Sequence, residues 1–323
     1  MLPAAHHCSR AASRAGSGTM ERLDGKRKAY AHITSKMLLY TTGFFHNRGF
    51  TQIMPVILSP ITDPLGPDPN STVIKRGEIE YLGRTLALTQ SMILHKQLLI
   101  HAGLGRLFVI SPNVRLEHPS RRGSGRHLFE FSQVDFEISK AKKEEVFALM
   151  EDFLAGAVKH VKAECADELA YLGRALPDVR GPFPIHTTHE LEGKYGADWE
   201  GAASLAAKQP FWALCHKREF YDKEDPSEPG HFLNYDLIYP EGFGEALSGA
   251  EREHEYGTIS AKIGRHGLDK SRYAAYLEFA KNDLTPSAGC GFGFERLIRY
   301  LSGAPHVGDV QMFRRVPGEE VVV

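Results

Sequence analysis

The stretch GCGFGFER, Gly289 to Arg296, decides how the rest of the chain is read. Glycine recurs at every second position, and the run closes on an acid and a base. Successive side chains of a strand point to opposite faces, so Gly289, Gly291 and Gly293 strip one face bare. A flat group then has room against the backbone. The residues that follow, FERLIRYLSG, read as a helix whose first turn carries Glu295 and Arg296, and from there Arg296 reaches over a base or a phosphate. Two other glycine patterns fail on position. A dinucleotide loop needs a full βαβ unit with an acid about 20 residues further on, and only 27 residues follow Arg296. A kinase glycine loop opens its domain, with the catalytic Asp and Asn far downstream.

A second stretch, RLEHPSRRGSGRHLFEFSQVDFE from Arg115 to Glu137, has the order strand, polar loop, strand. Alternation puts His127, Phe131, Asp135 and Glu137 on one face, with Phe129 on the same side, while Arg115 and Glu117 share a face of the partner strand. Rings, an imidazole and carboxylates at this density favour a binding surface over a solvated strand face.

Around these stretches the chain alternates short elements. Residues Lys26 to Phe50 have apolar positions at helical spacing and stop at Gly49. TQIMPVIL reads as a strand carrying Pro55, and DPLGPDPNST as a loop. LALTQSMILHKQLLIHAG reads as a strand running into a helix, and KEEVFALMEDFLAGAVKHVKAECADEL as one helix. Residues 170–230 carry no strong pattern. NYDLIYPEGFGEALSGAEREHEY returns to strand, turn and strand, and SRYAAYLEFAKND is helical. One domain over 21–323 is expected. Residues 1–20 hold Arg10, Arg14 and no acid, the composition of an organelle transit peptide, and are expected to be a disordered tail or an alternative start region ahead of Met20.

Bulk composition limits the partners. Lys and Arg number 39 against 40 Asp and Glu, a formal charge of −1, so no overall field draws the chain to nucleic acid or to an anionic membrane. No apolar run reaches the roughly 18 residues of a membrane span. Cys8, Cys165, Cys215 and Cys290 lack C-x-x-C spacing, which fits a reducing cytoplasm rather than a disulfide framework or a zinc site.

Together, G-x-G-x-G-x-E-R and R-x-E, loop, R-H-x-x-E-F-x-x-x-D-x-E resemble the third and second signature motifs of class II aminoacyl-tRNA synthetases, in the aspartyl and asparaginyl branch. The first helix and the Pro55 strand resemble their dimer-forming first motif. The resemblance runs from about Glu21 to Gly318 and implies an α+β fold, an antiparallel sheet flanked by helices, in a homodimer that uses ATP and Mg²⁺. It implies that Arg115 holds the α-phosphate, that Glu117, His127 and Arg296 serve the rest of ATP, that Phe131 stacks adenine, and that Asp236 and Glu245 bind the metal.

DLIYPEGFGE, Asp236 to Glu245, follows the asparaginyl spacing, whereas LSGAER, with Ser248 and Arg252, follows the aspartyl pattern. LTQSMILHK keeps Gln90, Ser91 and Lys96 of the branch's substrate segment. Lys96 and Arg252 are expected to form a cationic clamp that selects a dicarboxylate, aspartate, with Gln90 and Asp135 orienting its ammonium. Relatives of the branch carry a β-barrel anticodon domain ahead of this core, and here barely twenty residues precede it, so tRNA is not expected as a partner. The combination resembles the archaeal-type asparagine synthetases, which amidate aspartate with ammonia. Competing readings are a ligase passing aspartate to tRNA, a carrier or another amine, and a silent module that binds aspartate or a nucleotide. Two departures stand out. Ser287 replaces a common histidine, and EGAASLAA, Glu200 to Ala207, lacks an expected carboxylate-rich stretch.

Overall fold

The computed structural model describes residues 23–65, 73–216 and 219–321. The expected tail 1–20 and residues 66–72 of the expected DPLGPDPNST loop lie outside them. Helix α1 (Gly25–His46) begins where the Asp24 carboxylate accepts from the Arg27 N–H at 2.8 Å, and the chain turns away at Gly49, φ +75°. Strands β1 (Thr51–Gln52), β2 (Leu58–Ser59), β3 (Val73–Lys75), β4 (Glu78–Tyr81) and β5 (Arg84–Leu88) follow, then helix α2 (Ile93–His101). Next come β6 (Arg106–Val114), β7 (Leu116–Glu117), a 3₁₀ turn (Pro119–Ser124) and β8 (Glu130–Ser139). Helices α3 (Lys143–Glu164) and α4 (Ala166–Leu172) precede β9 (Ile185–Thr187), α5 (Thr188–Tyr195), α6 (Trp199–Ala206) and β10 (Phe211–Leu214). The chain closes with β11 (Asn234–Tyr239), β12 (Gly244–Glu251), α7 (Tyr256–Arg265), α8 (Ala274–Ala280), β13 (Ser287–Gly293) and α9 (Phe294–Ser302).

Among the described residues the main sheet runs β1-β6-β8-β13-β12-β11-β10-β9. Its six central strands are antiparallel, as expected, while β1 and β9 pair in parallel at the two edges, so the sheet is mixed. Alternation along β8 divides the molecule. Val134, Phe136 and Ile138 join the core beneath α1 and α3, where Phe45 stacks on Phe108 at 5.0 Å and meets Phe136 at 5.4 Å. Phe131, Gln133, Asp135 and Glu137 point to the opposite face. A second apolar cluster, including Ile93, Leu94, Phe220 and Tyr276, closes one end of that face.

Several expected elements change. TQIMPVIL is two short pieces, β1 and β2, with Pro55 in the irregular span between them, because proline offers no N–H to a ladder. The polar loop contains a 3₁₀ turn, and β8 starts only at Glu130, so His127 and Phe129 precede the strand and its alternation does not orient them. The long helix after Lys143 breaks at Cys165 into α3 and α4. Residues 170–230 hold β9, α5, α6 and β10, each too short to show a period.

Helix α9 is pinned to β8 by Glu295, whose two carboxylate oxygens accept from the Ser132 N–H at 2.9 and 3.0 Å. Burial pushes the Glu295 carboxyl up to about 7, against the pull of that N–H. A folded-state value above the unfolded one adds stability at low pH that is lost as pH rises through 7. Glu295→Gln is therefore expected to gain on the wild type as pH goes from 4.5 to 7.5, by about 1–3 kcal/mol in urea unfolding. A pH-independent difference between the two proteins would contradict this.

Candidate active site

The glycine strand serves a purpose its sequence does not announce. Residues of β13 pair with β8 in the register Gly289 to Glu137, Gly291 to Asp135 and Gly293 to Gln133. A Cβ on Gly289 would fall on the Phe136 carbonyl and the Glu137 carboxylate, and one on Gly291 on the Gln133 amide and Asp135. The bare face therefore admits the polar side chains of β8 rather than a flat ligand. Only at Gly293, whose nearest neighbour is Arg296 Cγ at 3.5 Å, is the expected open shelf found.

Beneath that face lies a buried ion network. Lys96 Nζ donates to Asp135 Oδ1 at 2.8 Å and to the carbonyls of Phe136 and Cys290, each at 3.1 Å, and stands 3.5 Å from Glu137 Oε2. Arg252 grips Glu137 through Nε at 3.0 Å and Nη2 at 3.3 Å, and Nη2 also reaches the Gly289 carbonyl at 2.9 Å. Burial works against the charged guanidinium, and Glu137 outweighs it, so its affinity for the proton is raised. Ser287 Oγ donates to Glu137 at 2.9 Å, so the serine that replaces the expected histidine joins this network.

Both cations of the expected clamp thus meet Glu137 inside the protein. All three N–H bonds of Lys96 are spent inside the protein, because a cation this deep needs its own carboxylate and acceptors. Arg252 Nη1 faces Asp222 at 3.7 Å, at ion-pair distance but outside hydrogen-bond range.

Beside the network, two acceptors are buried without a donor, Gln90 Oε1 and Asp135 Oδ2. The Gln90 carbonyl accepts from Arg115 Nε at 3.1 Å, the Gln90 N–H donates to Thr62 Oγ1 at 2.9 Å, and the Arg115 guanidinium lies over the Phe131 ring at 5.2 Å. Ser91 Oγ accepts from the Ile93 N–H at 3.2 Å and so sits at the start of α2. Glu117 is on β7, which pairs with β3 and not with β8.

Sequence reading missed two groups here. Gln133 accepts from Asn113 Nδ2 at 2.7 Å, and only its parity with Phe131 and Asp135 signalled it. Asp63 is buried and accepts from Tyr221 OH at 2.9 Å and the Leu65 N–H at 3.0 Å. Burial raises its carboxyl against the pull of Leu65 and Arg115.

At the other end His127 meets Ser124 Oγ through Nδ1 at 2.7 Å. Burial, followed by Arg296, Arg126 and Arg121, drives His127 down to about 3, so the ring is neutral at ordinary pH. Arg296 Nη1 lies 3.2 Å from Glu245 Oε1, and its Nε donates to the Arg126 carbonyl at 3.2 Å. The Arg126 guanidinium forms a bidentate pair with Glu200, which also accepts from the Glu245 N–H at 2.9 Å. EGAASLAA, short of the expected carboxylate-rich run, thus brings its one carboxylate, Glu200, to Arg126 and Glu245.

Asp236 sits on β11 opposite Ser248, 3.4 Å from His216 Nε2, and Glu245 lies opposite Ile238, where the ladder register shifts. Among the described residues no three His, Cys, Asp or Glu side chains gather closely enough to hold a metal ion by themselves. Nor is any described helix long and apolar enough to cross a membrane.

A class II synthetase core is what the mixed sheet, the Arg115–Phe131 face and the Arg296 helix define, and comparison with known proteins agrees. The family model for class II tRNA synthetases of the D, K and N type matches residues 18–317, and the chain belongs to that family. It is 29% identical over 308 residues to an asparagine–tRNA ligase of Lactobacillus delbrueckii, covering 89% of this chain and 69% of that one. It is 32% identical over 290 residues to an aspartate–tRNA(Asp/Asn) ligase of Methanopyrus kandleri, covering 84% and 64%. The chain thus spans about two thirds of the length of these curated relatives. The asparaginyl-tRNA synthetase of Pyrococcus horikoshii, solved with asparaginyl-adenylate, shares the fold with a TM-score of 0.80 at 23% identity, over 92% of this chain and 70% of that one.

The buried network makes a stability prediction. Lys96→Met leaves Asp135 and Glu137 short of a cation and is expected to cost about 3–5 kcal/mol in urea unfolding. The double variant Lys96→Met with Asp135→Asn should recover part of that loss, and no recovery would contradict the pairing.

Proposed function

We propose that this chain is an adenylate-forming ligase for aspartate, an ATP-dependent asparagine synthetase. One observation supports it most: Arg115 is anchored on the backbone carbonyl of Gln90, and two buried acceptors, Gln90 Oε1 and Asp135 Oδ2, have no donor. An α-ammonium group, with three N–H bonds, satisfies both. In this reading an amino acid is held with its reacting end toward Arg115, which stabilises the α-phosphate as charge develops. Phe131 carries the adenine ring, and His127 and Arg296 take the outer phosphates.

Asp236 and Glu245 fit Mg²⁺, a hard ion usually held by one or two carboxylates with phosphate oxygens and water filling its shell. Bound there, the ion neutralises charge on the triphosphate and on the departing pyrophosphate.

Aspartate supplies a carboxylate oxygen that attacks the α-phosphorus, and the bond to pyrophosphate breaks. The nitrogen lone pair of ammonia then attacks the acyl carbon, the bond to AMP breaks, and the proton released from nitrogen passes to solvent. With the α-carboxylate at Arg252 Nη1, the β-carboxylate is activated and the products are asparagine, AMP and pyrophosphate. Exposed Leu39, Met54 and Ile57, on α1 and the segment after it, support a homodimer. Cys165, Cys215 and Cys290 are free thiols, which supports a cytoplasmic setting.

A second reading, transfer of aspartate or asparagine to tRNA, is favoured by the relatives, which are tRNA ligases. The two separate in one experiment. Pure protein with ATP, Mg²⁺, aspartate and ammonium, and no RNA, is expected to yield asparagine, AMP and pyrophosphate in equal amounts. Turnover that appears only when tRNA is added would replace the first reading by the second. Arg115→Ala is expected to lower kcat by about 10²–10³ with an unchanged circular dichroism spectrum, and near-wild-type turnover would overturn its assignment.

A further inference from the structure

Arg299 lies three residues beyond Arg296 on α9, so the two side chains leave the helix on one side. Four other partly or fully buried arginines are matched with carboxylates: Arg252 with Glu137, Arg174 with Glu241, Arg126 with Glu200, Arg296 with Glu245, while among the described residues Arg115, like Arg299, is not. Among the described residues Arg299 has no carboxylate at ion-pair distance. Its Nη1 donates to the Phe243 carbonyl at 3.2 Å, its guanidinium lies 4.9 Å from the Phe243 ring centre, and its Nε is buried with no acceptor. Its Nη2 stands 3.6 Å from where a Cβ of Gly125 would be, and Gly125, φ +73°, is the turn that leads into Arg126 and His127. Burial, then Arg296 and Arg126, lowers the affinity of Arg299 for its proton to about 10. A half-buried cation beside two like charges is unfavourable by itself, and a polyanion against all three relieves the repulsion.

We infer that Arg299 is a further ligand of the outer phosphates, acting with Arg296 on the β- and γ-phosphoryl groups of ATP and on the pyrophosphate they become. This rests on the reading of the site as one that binds ATP. The planar fork of a guanidinium suits two phosphate oxygens at once. Its place beside the Gly125 turn puts it with Arg126 and His127, and apart from Gln90 and Asp135 at the amino-acid end. The alternative role is a brace, in which Arg299 only holds the Phe243 turn to α9.

Calorimetric titration with Mg-ATP, pyrophosphate and AMP separates the two roles. Arg299→Met is expected to weaken ATP and pyrophosphate about tenfold and to leave AMP within twofold, because AMP has no outer phosphates. Pyrophosphate affinity within twofold of wild type overturns the inference, and so does a parallel loss of AMP, which a brace predicts. Arg299→Lys serves if the Met variant does not fold. A smaller contrast between pyrophosphate and AMP is then expected, since an ammonium lacks the fork, and no contrast overturns the inference. Arg296→Met keeps the failures apart. If it abolishes ATP binding while Arg299→Met spares pyrophosphate, this inference alone falls. If it too spares ATP, the nucleotide site is misplaced and the inference falls with it.

Discussion

Two cations and two carboxylates buried under a strand of glycines set the terms for everything else in this molecule. Lys96, Asp135, Glu137 and Arg252 are each no more than 5% exposed at the side chain, on α2, β8 and the end of β12. Charges so far from water persist only if nearly every donor and acceptor is met. Here further N–H bonds of Lys96 and of Arg252 Nη2 are met by backbone carbonyls of Phe136, Gly289 and Cys290, two of which belong to β13. The network thus ties a helix and three strands together through contacts that a one-residue slip in register would break. Side chains on β13 would leave no room for it, and the glycines at 289 and 291 are the answer to that constraint.

What the network leaves unmet is as specific as what it satisfies. Asp135 gives one oxygen to Lys96 and keeps the other buried without a donor, and Gln90 Oε1 is equally unmet. Lys96 fixes the Asp135 carboxylate, and Thr62 and Arg115 hold the backbone of Gln90, which lowers the cost of ordering these residues around a ligand.

The sequence made the frame legible because its signals are periodic. The parity of β8, the alternate glycines of β13 and the helical spacing of α1 each survive into the structure, since a sheet buried on one face enforces period two and a helix over it enforces 3.6. Pairings between distant residues left no such trace. Asp63 meets Tyr221 across 158 residues and Arg126 meets Glu200 across 74, and neither pair shares an element or a spacing rule. The carboxylate partners of Lys96 are hidden from the sequence for a related reason. A lysine and an arginine near a substrate segment look like a clamp until the carboxylates of β8 come within reach of them. Whether a charge faces a ligand or its own protein depends on burial, and local pattern does not carry burial.

The two ends of the proposed site, one for the amino acid and one for the outer phosphates, differ in how far their charges are buried. At the amino-acid end the paired charges are almost wholly excluded from water, so breaking a pair strands a charge at a cost of several kcal/mol. At the phosphate end Arg126 and Glu200 are 28% and 26% exposed, and Arg296 and Glu245 24% and 29%. Ion pairs with this much water at hand contribute about 0–1 kcal/mol. Such pairs hold cations and carboxylates in place yet yield readily when a polyphosphate and a divalent ion compete for both partners at once. A rigid end suited to reading a small zwitterion therefore adjoins an exchangeable end suited to taking in and releasing a large anion. In the proposed reaction, a ligase that keeps its acyl substrate while discharging pyrophosphate needs that difference within one site.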